Sequence, residues 1–228
     1  MSEQFNVHQL PIIKGEVLDI YLENGWYRYG NKIFTIQSFT ENDQTYEVFW
    51  LRYHTPQIQY ALSTEKLIKK NQQFNVSIKR YALTAEMEAL HSKYLNSIAF
   101  QTSETIFELL QDAGNEVYET YAIEIRDGDK LISIGLFDVG KDSIAGIKNY
   151  FDPAYKKYSL GKYTMIIKHQ FCLQNKITWY YPGYFAPGYT RFDYKLFLDR
   201  AATQVYIPIH NMWIPFQQFS QQVDAMKK

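Results

Sequence analysis

The stretch "VYETYAIEIRDGDKLISIGLFDVGKDSIAGIKNYFDP", residues 117–153, decides the fold class. Its runs of Ile, Val, Tyr and Phe are divided by two turn clusters, "RDGDK" and "VGKD", so the segment reads as three consecutive strands. Asp152 before Pro153 closes the third strand in a turn. Residues Ser159 to Gln174 then carry a helical pattern that ends before "KITWYYPGYF", a further strand. An antiparallel meander, a helix and another strand in one sheet predict an α/β (α+β) fold.

Outward from this unit, residues 15–24 read as a short helix closed by Asn24-Gly25. "WYRYGNKIFTIQ" alternates around a Gly30-Asn31 turn. "TYEVFWLRYH" (45–54) and "FNVSIKRY" (74–81) are strand-like, with a helix from Ser63 to Asn71 between them. Two more helices are expected from Thr84 and from Ser103, each opened by a hydroxyl residue with an acid in the first turn. Near the end, "TQVYIPI" reads as a strand and "PFQQFSQQVDAM" as amphipathic.

The bulk numbers describe a globular chain. Of 228 residues 46% are hydrophobic and 21% charged, enough apolar material for a real core. Net charge is zero, which argues against binding long nucleic acid by electrostatics alone and leaves room for a local basic face. The one cysteine, Cys172, excludes a disulfide framework and a cysteine metal cluster, and it lies in an apolar helix as core. The five histidines, at 8, 54, 91, 169 and 210, have no ligand spacing, so no metal is expected. The sequence shows no signal peptide and no apolar run of membrane-spanning length, so a cytoplasmic protein with no membrane partner is expected. Dinucleotide, P-loop and nucleophile-elbow motifs are absent.

Aromatic residues make up 17%, and 20 of the residues are tyrosines. They concentrate in "WYYPGYFAPGYTRFDYK", residues 179–195, where glycines, prolines and charges are interleaved with rings. Tyrosine pairs an apolar ring with a polar tip, which suits the wall of a cleft that is both packed and wet. Facing it in sequence logic is the turn "DPAYKKYSLGKY". There the backbone N–H groups of Ser159, Leu160 and Gly161 open a helix, either as a phosphate-receiving terminus or as an ordinary cap.

These two blocks carry a family resemblance. "YFDPAYKKYSLGKY" followed by "WYYPGYFAPGYTRFDYK" resembles the C-terminal domain of the aminoacyl-tRNA–protein transferases, the arginyl- and leucyl-transferases of the N-degron pathway. Gly183, Tyr184, Tyr194 and Lys195 match the second motif outright. Arg191 stands for its lysine, Phe192 for its methionine, Pro182 for its leucine and Tyr189 for its cysteine. Asp138 in "LFDV" matches an acidic residue of the family. More faintly, "YLENGWYRYGNKIF" and "STEKLIKKN" resemble N-terminal motifs, with Arg52 at a family arginine. The N-terminal cysteines usual in the family are missing, and Glu65-Lys66 stand where two arginines would be.

The resemblance implies a GNAT-like acyltransferase fold, with residues 1–80 as a smaller N-terminal subdomain and 81–228 as the catalytic domain. It implies transfer of arginine or leucine from aminoacyl-tRNA to the N-terminal amine of acceptor proteins bearing Asp or Glu, with no cofactor. In that scheme Asp138, Tyr194 and Lys195 are catalytic. Ser159, Leu160, Gly161, Tyr180, Tyr181, Gly183, Tyr184 and Arg191 bind substrate, and Arg52, Lys66, Lys69 and Lys70 approach tRNA. Plainer readings stay open: Asp138 as a cap of the turn at 139–142, the tyrosines as core, and the lysines as a solvated face. Two other functions also stay open, a GNAT-like enzyme using acyl-CoA and a non-catalytic tRNA- or peptide-binding module.

Overall fold

The structure, a computed structural model, describes residues 5–98, 103–112 and 115–226. Strands β1 (Phe5–His8), β2 (Tyr27–Tyr29) and β3 (Lys32–Ile36) form a small antiparallel sheet, with helix α1 (Glu16–Glu23) between the first two in sequence. A hairpin of β4 (Ser38–Glu41) and β5 (Gln44–Glu47) follows, turning at Asn42 and Asp43, both at positive φ. The remaining strands are β6 (Phe49–His54), β7 (Asn75–Arg80), β8 (Thr120–Asp127), β9 (Lys130–Val139), β10 (Ser143–Phe151), β11 (Trp179–Phe185), β12 (Thr203–Ile207) and β13 (Met212–Pro215). They form one eight-stranded sheet in the order β13-β12-β6-β11-β10-β9-β8-β7. Strands from within residues 1–80, β6 and β7, are therefore built into the same sheet as the meander.

Helix α2 (Leu62–Asn71) lies between β6 and β7 in the chain, and α3 (Ala85–Leu95) and α4 (Ile106–Leu110) between β7 and β8. Thr84 and Thr105 cap α3 and α4 by accepting from Met87 N–H and Glu108 N–H. The second of these helices thus starts at Thr105–Ile106 rather than at Ser103. Helix α5 (Leu160–Gln174) connects β10 to β11, and α6 (Phe216–Met226) closes the chain. Residues 120–185 give the meander, helix and strand expected of a GNAT-like unit within an α/β fold.

Strand β9 is central, and its residues from Leu131 to Asp138 are all buried. One face packs on α5 through Ile132, Phe137, Ile144, Leu160, Ile166 and Cys172. The other packs on α3 and α4 through Ile134, Leu136, Met87, Leu90, Ile106 and Leu110. Covering on both faces explains why β9 reads as a nearly continuous apolar run instead of an alternating one. Further along the sheet, Trp50, Tyr181 and Tyr206 pack with Leu18, Leu22 and Ile33 of the N-terminal unit. Among the described residues, no helix is long and apolar enough to cross a membrane.

Candidate active site

The site arises where two strands part. Strands β10 and β11 are parallel, and they pair only from Ser143–Ala145 to Trp179–Tyr181. Immediately beyond, the register of β10 shifts between Gly146 and Lys148, and that of β11 between Tyr180 and Gly183. The second shift explains Pro182-Gly183 inside a strand: proline lacks the ladder donor, so it sits where the ladder is interrupted. At the point of separation the Tyr27 hydroxyl donates towards both the Gly146 carbonyl (2.7 Å) and the Tyr181 carbonyl (2.6 Å), one from each strand.

The gap is a cavity of about 190 Å³. Gly146, Lys148 and Asn149 line one side, and Pro182, Gly183 and Tyr184 the other. Met165 and Lys168 of α5 come from beneath, and Tyr194 and Lys195 from the 3-10 segment that follows β11. Drug-sized ligand pockets run to roughly 300–1,000 Å³, so this volume suits a single amino-acid residue.

Three lysines meet there. The Lys195 ammonium donates to the Tyr184 carbonyl (2.8 Å) and lies 4.7 Å and 4.4 Å from the centres of the Tyr184 and Phe192 rings. Although the residue is half-buried overall, its amine end is enclosed, and burial lowers its pKa to about 7. Lys168, 1% exposed, donates to the Leu136 carbonyl (2.9 Å) and to Asn149 Oδ1 (2.7 Å). Burial lowers it too to about 7, against the pull of Asp138. Lys148 is lowered by burial to about 8. Amines brought into this range exchange protons near neutrality, which an exposed lysine does not. Gly183 has φ of +103°, and a Cβ there would stand 3.1 Å from Lys195 Nζ, so glycine satisfies both the backbone and the space.

Behind the lysines lies a buried ion pair. Arg28 donates to Asp138 Oδ1 (2.8 Å), to Thr120 Oγ1 (2.8 Å), to the Leu110 carbonyl (2.7 Å) and, through Nε, to the Gly30 carbonyl (2.7 Å). Thr120 also donates to Asp138 Oδ1 at 2.7 Å. Asp138 is 0% exposed; burial raises its pKa, opposed by Arg28 and Thr120, and its Oδ2 has no partner. It does not cap the turn at 139–142. Asp19 does that, accepting from the Lys141 and Asp142 N–H groups and the Ser143 hydroxyl.

Of the residues singled out in the sequence, Tyr180, Gly183, Tyr184, Tyr194 and Lys195 come together at the cavity. Tyr194 is 46% exposed, yet its hydroxyl end is enclosed and burial pushes its pKa up to about 12. Asp138 stands one shell back, beyond Arg28. Tyr181, one residue along the alternation, points to the other face of the sheet, edge-on to Trp213 at 5.7 Å. Both Tyr180 and Tyr181 are almost fully buried, so neither offers a free ring face to solvent. Ser159, Leu160 and Gly161 do not line the cavity, and the Leu160 side chain is in the core. Lys168 is eight residues into α5, about 12 Å along its axis from that start.

The remaining cations are elsewhere. Arg191 pairs with Glu41 on the β4–β5 hairpin at 3.3 Å. Arg52 is sandwiched between the Trp179 and Trp213 rings at 3.8 and 4.4 Å, with Nε donating to Gln204 Oε1. Lys66, Lys69 and Lys70 are exposed on α2, and Lys70 donates to the Lys157 carbonyl at 2.5 Å, joining α2 to the lysines before α5.

Sequence reasoning missed Arg28, Lys148 and Lys168. The signals were slight: an arginine among the rings of "WYRYG" and a lysine inside the apolar helical run "TMIIKHQFC". Among the described residues, no group of His, Cys, Asp and Glu is placed to hold a metal.

Residues 40–202 match the family model described as arginine-tRNA-protein transferase, C terminus. An aspartate/glutamate leucyltransferase of Leptospira interrogans is 26% identical over 215 residues, 91% of this chain and 81% of that protein. One from Helicobacter hepaticus is 24% identical over 180 residues, 76% of this chain and 73% of that protein. Among solved structures, L-PGS from Bacillus licheniformis superposes with a TM-score of 0.42 at 9% identity, covering 75% of this chain and 50% of that one.

Proposed function

The chain belongs to the arginine-tRNA-protein transferase family, and on that premise we propose that it moves leucine from leucyl-tRNA to the N-terminal amine of proteins beginning with Asp or Glu, at the cavity between β10 and β11. The observation that carries this reading is the convergence of Lys148, Lys168 and Lys195 on one enclosed space with no carboxylate among its described lining residues. Such a space attracts the acidic side chain of an acceptor. Leucine as the donor residue is supported by the relatives' name, and the destination is an N-degron.

The chemistry asks little beyond positioning. The acceptor's α-amine attacks the ester carbonyl of the aminoacyl-tRNA, a C–N bond forms, the ester C–O bond breaks, and the amine's proton ends on the ribose oxygen that leaves. An activated ester supplies the driving force, so the reading requires no cofactor. The α-ammonium, of pKa about 7.7–8, must first lose a proton. Lys195, lowered by burial to about 7, is neutral in good part at physiological pH and serves as the base. The Tyr194 hydroxyl, kept protonated by burial, donates to the carbonyl oxygen as it becomes an oxyanion. Gly183 keeps the backbone clear of Lys195.

The tRNA lies outside the cavity on this reading. The exposed lysines of α2, with Lys156 and Lys157 before α5, form the basic face beside Ser159–Gly161 where the phosphates near the 3′ end rest. The test is transfer of labelled leucine from charged tRNA to peptides with N-terminal Asp, Glu, Asn or Gln, with arginyl-tRNA in parallel. Label on the acidic peptides supports the reading. Arginine transferred instead of leucine overturns the donor assignment, and no transfer from either tRNA overturns the whole.

A further inference from the structure

The buried amine of Lys168 has no counter-charge beside it. Neighbouring helix positions Tyr163, Thr164, Met165, Ile166 and Ile167 are all buried, so Lys168 carries its charge into a packed face. Both of its hydrogen-bond acceptors, the Leu136 carbonyl and the Asn149 side-chain oxygen, are neutral. Asn149 is oriented for this contact, because its Nδ2 donates the other way, to the Gly161 carbonyl at 3.4 Å. An ammonium has three donors, and these two bonds leave one for a ligand.

Nearby fixed charges do not supply the balance. Asp138 is a buried carboxylate whose charge acts on Lys168, yet that charge is matched by Arg28 at 2.8 Å. Arg28 and Asp138 together are neutral, so the Lys168 amine has no fixed counter-charge at the cavity floor, and a carboxylate entering beside it favours its charged form. A buried charge without a partner is costly, and a carboxylate entering the cavity repays that cost in a way a neutral side chain cannot.

Access is provided by Gly146. A Cβ at that position would stand 3.5 Å from Lys168 Nζ and 3.3 Å from the Tyr180 hydroxyl, so the absence of a side chain opens both polar groups to the cavity. The Tyr180 hydroxyl is thereby a second donor beside the ammonium. Lys195 differs: it is backed by the Tyr184 and Phe192 rings and lies beside Gly183, on the other strand of the gap.

We propose that Lys168 is the specificity-determining residue of the acceptor site, its ammonium binding the carboxylate of the N-terminal Asp or Glu side chain at the cavity floor. This rests on the transferase reading above and adds to it the residue that distinguishes Asp from Asn and Glu from Gln. A site built around a buried ionic group rejects the neutral analogue strongly, because the ammonium is then left unpaired.

The experiment compares kcat/KM for two peptides differing only in N-terminal Asp or Asn, with leucyl-tRNA, for the wild type and Lys168→Met. The wild type prefers Asp. In Lys168→Met the Asp/Asn ratio falls at least tenfold, mainly through KM for the Asp peptide, while Asn transfer changes less. Gly146→Ala serves as a second variant that keeps the charge and, by setting a methyl 3.3 Å from the Tyr180 hydroxyl and in contact with Nζ where the carboxylate would sit, lowers the ratio in the same direction; it stands in where Lys168→Met fails to fold. A ratio unchanged in the variants, or a wild type that transfers to Asp and Asn equally, overturns the assignment and leaves the transferase reading intact. A wild type that transfers to neither peptide overturns both.

Discussion

Replacing Arg28 by methionine should be among the most damaging single changes in the protein. The side chains of Arg28 and Asp138 are 2% and 0% exposed. Methionine fills most of the volume but removes the donors to Asp138, Thr120, Leu110 and Gly30. Breaking a buried pair by deleting one partner typically costs about 3–5 kcal/mol, because the other charge is left stranded. Against a total stability of about 5–15 kcal/mol, that loss is a large fraction. Urea denaturation of the wild type and Arg28→Met measures it as a shift in midpoint at unchanged slope. A double variant, Arg28→Met with Asp138→Leu, should regain most of the loss, since an apolar pair replaces an ionic one without an orphan.

The pH dependence adds a signed check. Burial already raises the Asp138 pKa in the folded protein, and loss of Arg28 raises it further. A carboxyl raised in the folded state stabilises while protonated and loses that contribution as pH rises through its folded value. The deficit of Arg28→Met therefore shrinks towards mildly acidic pH and is largest at neutral and alkaline pH. A loss below about 1 kcal/mol, within reach of an ordinary surface contact, or a deficit that grows on mild acidification, would refute the buried-pair argument.

Gly183→Ala forces an L side chain to a φ of +103° and sets a methyl 3.1 Å from Lys195 Nζ. A loss of about 1–3 kcal/mol in stability, read by thermal melting, is expected with a larger fall in transfer rate. For kcat, the acidic limb should rise with pH through about 7 as Lys195 deprotonates; in Lys195→Met that limb disappears, leaving the later rise from the acceptor amine at about 7.7–8. At the far end of β10, burial raises the Asp152 pKa, but hydrogen bonds from Lys93, Lys130 and the Ala154 N–H outweigh it and hold the group at about 2. Its stabilising contribution is present above the usual carboxylate range and is lost as pH falls towards 2. Asp152→Asn should thus cost about 1–3 kcal/mol at neutral pH by denaturant melts, with the difference closing in acid.

Much of the frame was legible because its signals are local. Turn residues at 126–130 and 139–142 divided the meander, hydroxyl residues marked helix starts, and a long apolar run marked the central strand. The 179–195 block showed that something unusual was held there, and Gly183, Tyr184, Tyr194 and Lys195 do converge. What sequence periodicity does not carry is which way a strand turns after an irregular step. The shift between Tyr180 and Gly183 breaks the ladder at Pro182, where β11 leaves β10. The partial separation of β10 from β11 brings Lys168, eight residues into α5, to a cavity that its own helix start does not line. Arg28 and Asp138 are 110 positions apart, and their pairing is a product of topology. Arg191 was given a substrate role by the family resemblance, and in the structure it pairs with Glu41 of β4, a strand outside the runs read from the sequence.

The most direct test of the central claim is leucine transfer from leucyl-tRNA to an Asp-terminated peptide by the wild type and by Lys195→Met, with folding of both verified by their melts. Leucine should appear on the peptide's N-terminal amine with the wild type, and the rate should be about 10²–10⁴-fold lower with the variant, the range of a lost general base. A wild type that transfers nothing, or a folded Lys195→Met that transfers as fast as the wild type, would contradict it.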